Sequence, residues 1–180
     1  IEVLPQIATG LLVFDTLADA MAALPGLVAE GFATIELLDA ASLRVAQGLG
    51  DVPQAIAAID VDQHAALLVE VHARDEASLA AATRDALAHL AALPLTTPAA
   101  LTTDAGERAA LWHVRKGLYT AVAGARPSGT TALLEDIVVP VDRLLITCER
   151  LIELFATHGY GESVIFGHAK DGNVHFLLSE

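Results

Sequence analysis

Two histidines near the C-terminal end of the chain lie on either side of a turn sequence. Residues 167–175 read GHAKDGNVH, and short apolar, β-favouring segments lie around the turn at residues 163–166 and 174–178. An Asp-Gly pair between two such segments is typical of a tight β-hairpin. The sequence therefore predicts that His168 and His175 lie on facing strands.

The register of this hairpin decides whether the two side chains meet. With Asp171 and Gly172 as the central turn residues, His168 pairs with His175, and directly opposed Cβ atoms lie about 5 Å apart on one face. A turn centred one residue later keeps both on that face, because side chains alternate with a period of two. A three-residue loop would separate them. Two imidazoles this close can chelate one metal or bind one substrate, whereas the alternative interpretation is a hairpin in which they are ordinary strand residues.

A second group of candidate residues lies on a long helix predicted from Asp104 to Ala123. Asp104 and Glu107 are three residues apart, as in a capping box with Asp in the Ser/Thr position. One side of this helix places cations beside aromatic residues: Arg108, Trp112, Arg115, Lys116 and Tyr119. Such a surface could bind a carboxylate, with Arg115 as a bidentate clamp. The alternative is a solvated helix face on which an arginine stem covers Trp112.

Two adjacent acidic residues, Glu135 and Asp136, fall within a strand predicted over residues 132–140. Neighbouring strand residues point to opposite faces of a sheet. One of the two carboxylates therefore faces the packed side, unless the strand lies at an edge or opens onto a site. A buried carboxylate there would need a partner.

Composition limits the class of protein. The chain has 180 residues, of which 54% are hydrophobic and 18% charged, which excludes disorder and suffices for one large core or two small ones. The formal charge of −13 would repel a phosphate backbone, so no nucleic acid partner is expected. No uncharged apolar run reaches the roughly 18 residues of a membrane helix. The chain begins at Ile1 without a signal-peptide pattern, and we expect it to be a piece of a longer protein.

The single cysteine, Cys148, falls on the apolar stripe of a predicted helix. We expect an inert core residue there rather than a nucleophile. One cysteine allows no disulfide within the chain, which fits a reducing compartment. The expected location is the cytoplasm, either free or peripheral to the inner face of the membrane.

The rest of the chain alternates between strand and helix patterns. Strands are predicted at residues 7–15, 33–38 and 64–73, and helices at residues 16–24, from Asp39, after Asp75 and between Asp142 and Gly159. Connections rich in Pro, Thr, Gly and Ser cover residues 94–103 and 124–130, and a further helical turn is predicted at residues 55–59. We interpret His72 as an ordinary strand residue and His89 as an ordinary helix-surface residue. These units predict an α+β fold, a ferredoxin-like plait with a largely antiparallel sheet and helices on one face.

Three segments together resemble the C-terminal, substrate-side domain of FAD-linked oxidases, the group of D-lactate, glycolate and D-2-hydroxyglutarate dehydrogenases. They are Trp112-x-x-Arg115-Lys116, then residues 135–140 (EDIVVP), then residues 167–175 (GHAKDGNVH), and the segment from residue 24 to residue 43 is also similar. The resemblance covers nearly the whole chain, so residues 1–180 are expected to form one such domain. No Gly-rich phosphate-binding loop corresponds to the N-terminal flavin-binding domain of the family.

The resemblance implies an enzyme in which FAD takes a hydride from the α-carbon of a D-2-hydroxy acid. Arg115 would bind the substrate carboxylate, and Asn173 would approach the flavin. His168 and His175 would act as catalytic residues at the substrate hydroxyl or hold a divalent metal such as zinc. In relatives with a metal, a Glu-His pair farther downstream completes the site, so the fragment alone is expected to be inactive.

The resemblance also has implications for the partners and the substrate. The partners would be the FAD-binding domain of the same full-length chain and, in some longer relatives, an iron–sulfur electron acceptor. Relatives specific for 2-hydroxyglutarate tend to carry a lysine shortly before the position of Asp136. This chain has Leu133, Leu134 and Glu135 there, which argues against a dicarboxylate substrate.

Two other functions stay open from the residues alone. A metal-dependent hydrolase could use His168 and His175 as ligands and water as nucleophile, although no third ligand or base stands at a sensible spacing. A non-catalytic plait-type binding or assembly domain would use the same hairpin for structure only.

Overall fold

A computed structural model describes residues 4–126 and 128–180 of the chain. The strands are β1 (Gln6–Phe14), β2 (Thr34–Leu38), β3 (Ala65–Ala73), β4 (Ala132–Val138), β5 (Val164–Gly167) and β6 (Asn173–Ser179). The helices are α1 (Leu17–Glu30), α2 (Ala40–Gln47), α3 (Gln54–Ala57), α4 (Glu76–Leu90), α5 (Ala105–Ala125) and α6 (Leu144–His158). Single turns of 3₁₀ helix lie at Val141–Arg143 and Ala169–Asp171.

The strands form one six-stranded sheet in the order β1-β3-β2-β5-β6-β4. Every neighbouring pair is antiparallel. Strands β1 and β4 are therefore at the two ends of the sheet. The outer side of β1 is covered by the connection after α4, through bridges from Thr9 to Thr102 and from Phe14 to Leu95.

Both faces of the sheet are packed. The larger apolar core lies between the sheet and helices α1, α4 and α6, and the smaller one lies between the opposite face and helices α2, α3 and α5. The α+β class and the antiparallel sheet are as the sequence predicted. The layer of α2, α3 and α5 adds to that prediction, which placed helices on one face only. This second layer encloses the buried polar residues Glu36, Glu70 and Arg115.

Strand β3 shows how one sequence serves two different surfaces. Ala65, Leu67 and Val69 face the larger core, and Ala66 and Leu68 face the smaller one. A strand buried on both sides reads as a continuous apolar run rather than as an alternating one. On the face of β3 that α5 covers, the apolar residues are followed by Glu70 and His72, which are polar.

Most helix starts follow the predicted capping chemistry. The carboxylates of Asp39, Asp75 and Asp104 accept hydrogen bonds from the backbone N–H three residues later. The last helix, expected to start with Asp142 as its cap, begins instead at Leu144. Asp142 lies in the 3₁₀ turn, and the cap position of α6 is Arg143, without a side-chain cap.

The predicted end of α1 at residues 25–26 is wrong. Pro25 lies inside the helix, which continues to Glu30 and ends at Gly31 in the left-handed conformation, with φ 90°. Leu24 and Leu27 on either side of Pro25 are fully buried. Burial of these leucines continues the helix past a residue that normally interrupts one.

Cys148 lies in the larger core, as expected, with no exposed surface. Burial raises the pKa of its thiol to about 12, which leaves it protonated and unreactive. In the part of the chain that the structure describes, none of the helices combines the length and apolar character needed to cross a membrane.

Candidate functional site

The connection between β5 and β6 differs from the predicted two-residue turn. Strand β5 ends at Gly167, the 3₁₀ turn Ala169–Asp171 follows, and Gly172 adopts φ 70° before β6 begins. A Cβ atom at Gly172 would collide with the backbone carbonyl oxygen of Val139. The longer connection therefore packs against the chain that follows β4, and only glycine fits at its closest approach.

This geometry changes the predicted pairing of the histidines but still brings them together. His175 pairs with Phe166 in the sheet register rather than with His168. The His168 and His175 rings nevertheless lie with their centroids 5.3 Å apart and nearly perpendicular, at 87°. The two imidazoles are therefore in contact although they do not pair in the sheet.

A buried glutamate on β2 links His168 to α5. Glu36 is 4% exposed, and its Oε1 lies 2.7 Å from His168 Nδ1. Arg115 Nε donates to Glu36 Oε2 at 2.9 Å, and Arg115 Nη2 lies 2.8 Å from the same oxygen. A carboxylate facing a guanidinium is a hydrogen-bond acceptor only, so the Nδ1 of His168 must donate. That assigns the proton of neutral His168 to Nδ1 and leaves Nε2 as an acceptor.

Arg115 is not on a solvated helix face. It is 8% exposed, and its guanidinium carbon lies 4.8 Å from the centre of the Phe166 ring. A cation over an aromatic face in a buried setting is stabilised by the ring as well as by the carboxylate. The solvated-face interpretation is therefore wrong for Arg115. The Lys116 ammonium lies over the Trp112 ring, at 5.4 Å.

A second buried carboxylate, Glu70 on β3, lies on the same face of the sheet. It is 5% exposed and accepts hydrogen bonds from the Trp112 indole (2.7 Å), Thr9 (2.8 Å) and His72 (2.9 Å). Burial by itself raises the pKa of Glu70, but these hydrogen bonds together outweigh it and lower the pKa below its usual value. Glu70 and Glu36 thus fix α5 to the sheet at two places.

His175 has a carboxylate partner of its own. Its Nδ1 lies 3.3 Å from Asp136 Oδ1, and Asn173 donates to the same oxygen and to the Ile137 carbonyl at 3.3 Å. Burial lowers the pKa of His175, and His168 lowers it further, against the opposing charge of Asp136. His175 is therefore neutral at neutral pH.

The edge position of β4 resolves the question of the two adjacent acids. Glu135 and Asp136 are both exposed, on the strand at one end of the sheet. Asp136 faces His175 directly in the register. Together these side chains form a polar band across the face of the sheet that α5 covers, from β3 to β4. Its members are Glu70, Glu36, Arg115, His168, His175 and Asp136.

Residues 4–179 match the family model described as FAD linked oxidases, C-terminal domain. The chain belongs to this family. Family membership places the domain in a flavin-dependent class of enzyme with FAD as its cofactor. The resemblance seen in the sequence is confirmed at this level.

Solved structures agree on the fold. Two crystal forms of alkyldihydroxyacetonephosphate synthase superpose with TM-scores of 0.71 over 99% of this chain, at 10% and 11% sequence identity. The FAD-linked oxidase domain spans a little over a third of their length, 37% and 36%. At this identity the likeness shows the fold alone. No curated protein sequence matches the chain.

The FAD-linked oxidase domain brings the predicted site residues into one region. His168, His175 and Arg115 meet around Glu36 and Phe166, and Asn173 lies beside them on Asp136. Sequence reasoning missed Glu36 and Glu70. The available signal was an acidic residue inside a strand that otherwise reads as buried on both faces, since an acid in such a place needs a partner.

The residues present do not complete a metal site. Among residues 4–126 and 128–180, no group of three or more His, Cys, Asp or Glu side chains is arranged to hold a metal ion. Two imidazoles fall short of the three protein ligands that catalytic zinc sites use. A metal-dependent hydrolase gains no third ligand from these described residues.

Proposed function

We propose that this domain forms the substrate side of a flavin-dependent dehydrogenase that oxidises a D-2-hydroxy acid to the 2-oxo acid. The observation that supports the proposal is the buried Glu36, which holds a guanidinium and an imidazole side by side at distances of 2.7 to 2.9 Å. A 2-hydroxy acid carries a carboxylate and a hydroxyl on adjacent carbons. Such a substrate needs a cation and a proton acceptor close together.

Arg115 is the residue we assign to the substrate carboxylate. A guanidinium has five N–H donors, and Glu36 occupies the edge formed by Nε and Nη2. Nη1 has no hydrogen-bond partner among the described residues and faces away from that edge. In a largely buried position a hydrogen bond from Nη1 to a carboxylate is stronger than it would be in water.

His168 is the residue we assign to the hydroxyl proton. Its Nδ1 donates to Glu36, so Nε2 is the free acceptor, and half of the side chain is exposed. FAD would accept the hydride, and the hydride carries both electrons of the α-carbon C–H bond. As that bond breaks, the hydroxyl proton passes to His168 Nε2 and the oxygen forms the carbonyl bond.

His175 and Asn173 complete the proposed site. Neutral His175 lies against His168, and its second nitrogen can hydrogen-bond the same hydroxyl. Asn173 uses its amide nitrogen on Asp136, which leaves its carbonyl oxygen without a hydrogen-bond partner among the described residues. We assign that oxygen to the flavin, which the FAD-binding domain of the full-length chain would present to this face.

The polar band favours a monocarboxylate substrate. Leu134 lies on the same face of β4 as Asp136, two residues before it, and is 48% exposed. It offers no cation to a second carboxylate. An iron–sulfur module as the electron acceptor stays a prediction from the resemblance.

The test uses the full-length protein that carries this domain. Under anaerobic conditions, a D-2-hydroxy acid is expected to bleach the flavin absorbance, and its L-isomer is not. A flavin that no D-2-hydroxy acid reduces would contradict the proposal. If the domain is instead a non-catalytic binding or assembly domain, neither isomer is expected to reduce the flavin.

A further inference from the structure

We infer that Glu36 is a positioning residue, whose two carboxylate oxygens hold the Arg115 guanidinium and the His168 imidazole in one fixed relation. Its role in a reaction rests on the proposed function, but the geometry that it imposes does not. Neither the sequence pattern nor the resemblance singled this residue out.

The first support is the position of Glu36 in the sheet. Strand β2 lies inside the sheet, between β3 and β5, and its Ile35 and Leu37 are anchored in the larger core on the opposite face. In the β2–β5 register Leu37 pairs with Gly167. Glu36 and His168 each lie one residue beyond that pair, at the same end of the β2–β5 ladder, so the strand pairing brings the two residues near each other.

The second support is that Glu36 is the shared partner of two residues from distant parts of the chain. Arg115 lies on α5 and His168 follows β5, at separations of 79 and 132 residues from Glu36. Among the described residues, neither side chain has another hydrogen-bond partner. Phe166 lies 4.8 Å from the guanidinium carbon of Arg115, whereas the hydrogen bond of the His168 imidazole is to Glu36.

The third support is chemical. Glu36 Oε1 accepts from His168 and Oε2 accepts from Arg115, which an amide cannot do at both ends. In a Glu36→Gln variant the carbonyl oxygen would accept from Arg115, and the NH₂ group would then donate to His168 Nδ1. The proton of the imidazole would move to Nε2, the atom proposed to accept from substrate. The variant keeps the shape of the side chain and reverses the tautomer.

The direct readout is the ¹⁵N spectrum of histidine in the full-length protein, with the His168 signals assigned from a His168→Gln variant. We expect protonated Nδ1 and bare Nε2 in the natural protein, and the reverse in Glu36→Gln. An unchanged tautomer in Glu36→Gln would overturn the inference. This measurement needs no turnover, so it stands even if no 2-hydroxy acid reduces the flavin.

The kinetic readout separates positioning from a general loss of structure. If the proposed reaction is correct, Glu36→Gln is expected to lower kcat by a factor on the order of 10²–10⁴, as a wrong tautomer or a small misplacement of reacting groups does. Combined with a His168→Gln change, Glu36→Gln is expected to cost almost nothing further. Additive losses in the double variant would contradict action through His168.

The matched control is Glu70→Gln. Glu70 is buried to a similar extent on the same face and also tethers α5, through Trp112. Its hydrogen-bond partners among the described residues are Thr9, Thr34, His72 and Trp112, not Arg115 or His168. It is expected to reduce the melting temperature while leaving the His168 tautomer unchanged. If Glu36→Gln fails to fold, Glu36→Asp keeps the charge, and a carboxylate shorter by one methylene is expected to lose one of the two contacts and part of kcat. Full kcat in Glu36→Asp would contradict the inference.

Discussion

Glu36 and His168 each lie one residue beyond Leu37 and Gly167, the last pair of β2 with β5, and Glu36 Oε1 is 2.7 Å from His168 Nδ1. This contact joins an interior strand of the sheet to the connection that carries the histidine pair. Arg115 occupies the other oxygen of the same carboxylate. The proposed substrate site is therefore built around Glu36, a buried residue that we propose acts through Arg115 and His168.

Replacing Arg115 by lysine is expected to weaken substrate binding without unfolding the protein. Lysine keeps a positive charge for the buried Glu36 but lacks the planar guanidinium, whose separate edges present donors to Glu36 and to a substrate carboxylate. The expected loss is about 10–100-fold in apparent affinity, read from flavin reduction at varied substrate concentration. The matched control is Lys116→Arg, the neighbouring exposed cation over Trp112. An unchanged affinity in Arg115→Lys, or an equal loss in Lys116→Arg, would contradict the carboxylate assignment.

Replacing Trp112 by phenylalanine is expected to destabilise the domain. The indole N–H donates to the buried Glu70 at 2.7 Å, and its loss removes one hydrogen bond from a buried carboxylate. We expect a cost of about 1–3 kcal/mol in the free energy of unfolding by urea. Tyr119→Phe, on the same helix and 45% exposed, is expected to change stability very little. Equal effects of the two substitutions would show that Glu70 does not tether α5.

Alanine at position 172 is expected to disturb the histidine pair. Gly172 has φ 70°, and a Cβ atom there would meet the Val139 carbonyl oxygen, so both the backbone and the packing would have to shift. Gly31→Ala is the control, since Gly31 also has a positive φ, 90°, but nothing lies within 4 Å of its Cβ position. We expect Gly172→Ala to lower both melting temperature and flavin reduction, and Gly31→Ala to lower melting temperature alone. Full activity in Gly172→Ala would contradict the packing argument.

The cap residue Asp39 is expected to make stability depend on pH. Burial raises its pKa from 3.8 to about 6, so between these values the folded state binds more protons than the unfolded state. Stability from protonated Asp39 is therefore present below pH 3.8 and lost as the pH rises through 6. Asp39→Asn keeps a capping side chain and removes the titration. It is expected to match the natural protein near pH 4 and exceed it by up to about 3 kcal/mol at pH 7.

The control for this pH dependence is Asp75→Asn, at the exposed cap of α4. Hydrogen bonds from Ser78 lower the pKa of Asp75, so its contribution has the opposite sign, present above 3.8 and lost as the pH falls. Urea unfolding at a series of pH values measures both variants. A gain at pH 7 in Asp75→Asn, or none in Asp39→Asn, would contradict the account.

The sequence predicted the local features of this fold and missed those that depend on distant pairing. Short apolar runs predicted strands β1 to β3, and capping chemistry predicted the starts of α2, α4 and α5, because these signals lie within a few residues. Pro25 misled the prediction of α1, since burial of its neighbours decides there. The Asp-Gly pair indicated a tight turn, but packing of Gly172 on Val139 selected a longer connection.

For the candidate site as well, the sequence predicted some residues and missed those whose role depends on distant pairing. The histidines and Arg115 were accessible because their residue types and spacing resemble a family pattern. Glu36 was not, because its role depends on the pairing of β2 with β5, which lie some 130 residues apart and carry no local signal of each other. The depth of Arg115 was missed for a related reason, since the buried carboxylate that balances its charge lies on another element.

The most direct test of the proposed function is anaerobic titration of the full-length flavoprotein with D- and L-2-hydroxy monocarboxylic acids, followed at the flavin absorbance band. The account predicts complete bleaching by a D-acid, release of the corresponding 2-oxo acid in a 1:1 ratio to flavin, and no bleaching by the L-isomer. Flavin that stays oxidised with every D-acid, or that is bleached only by an L-acid, would contradict it.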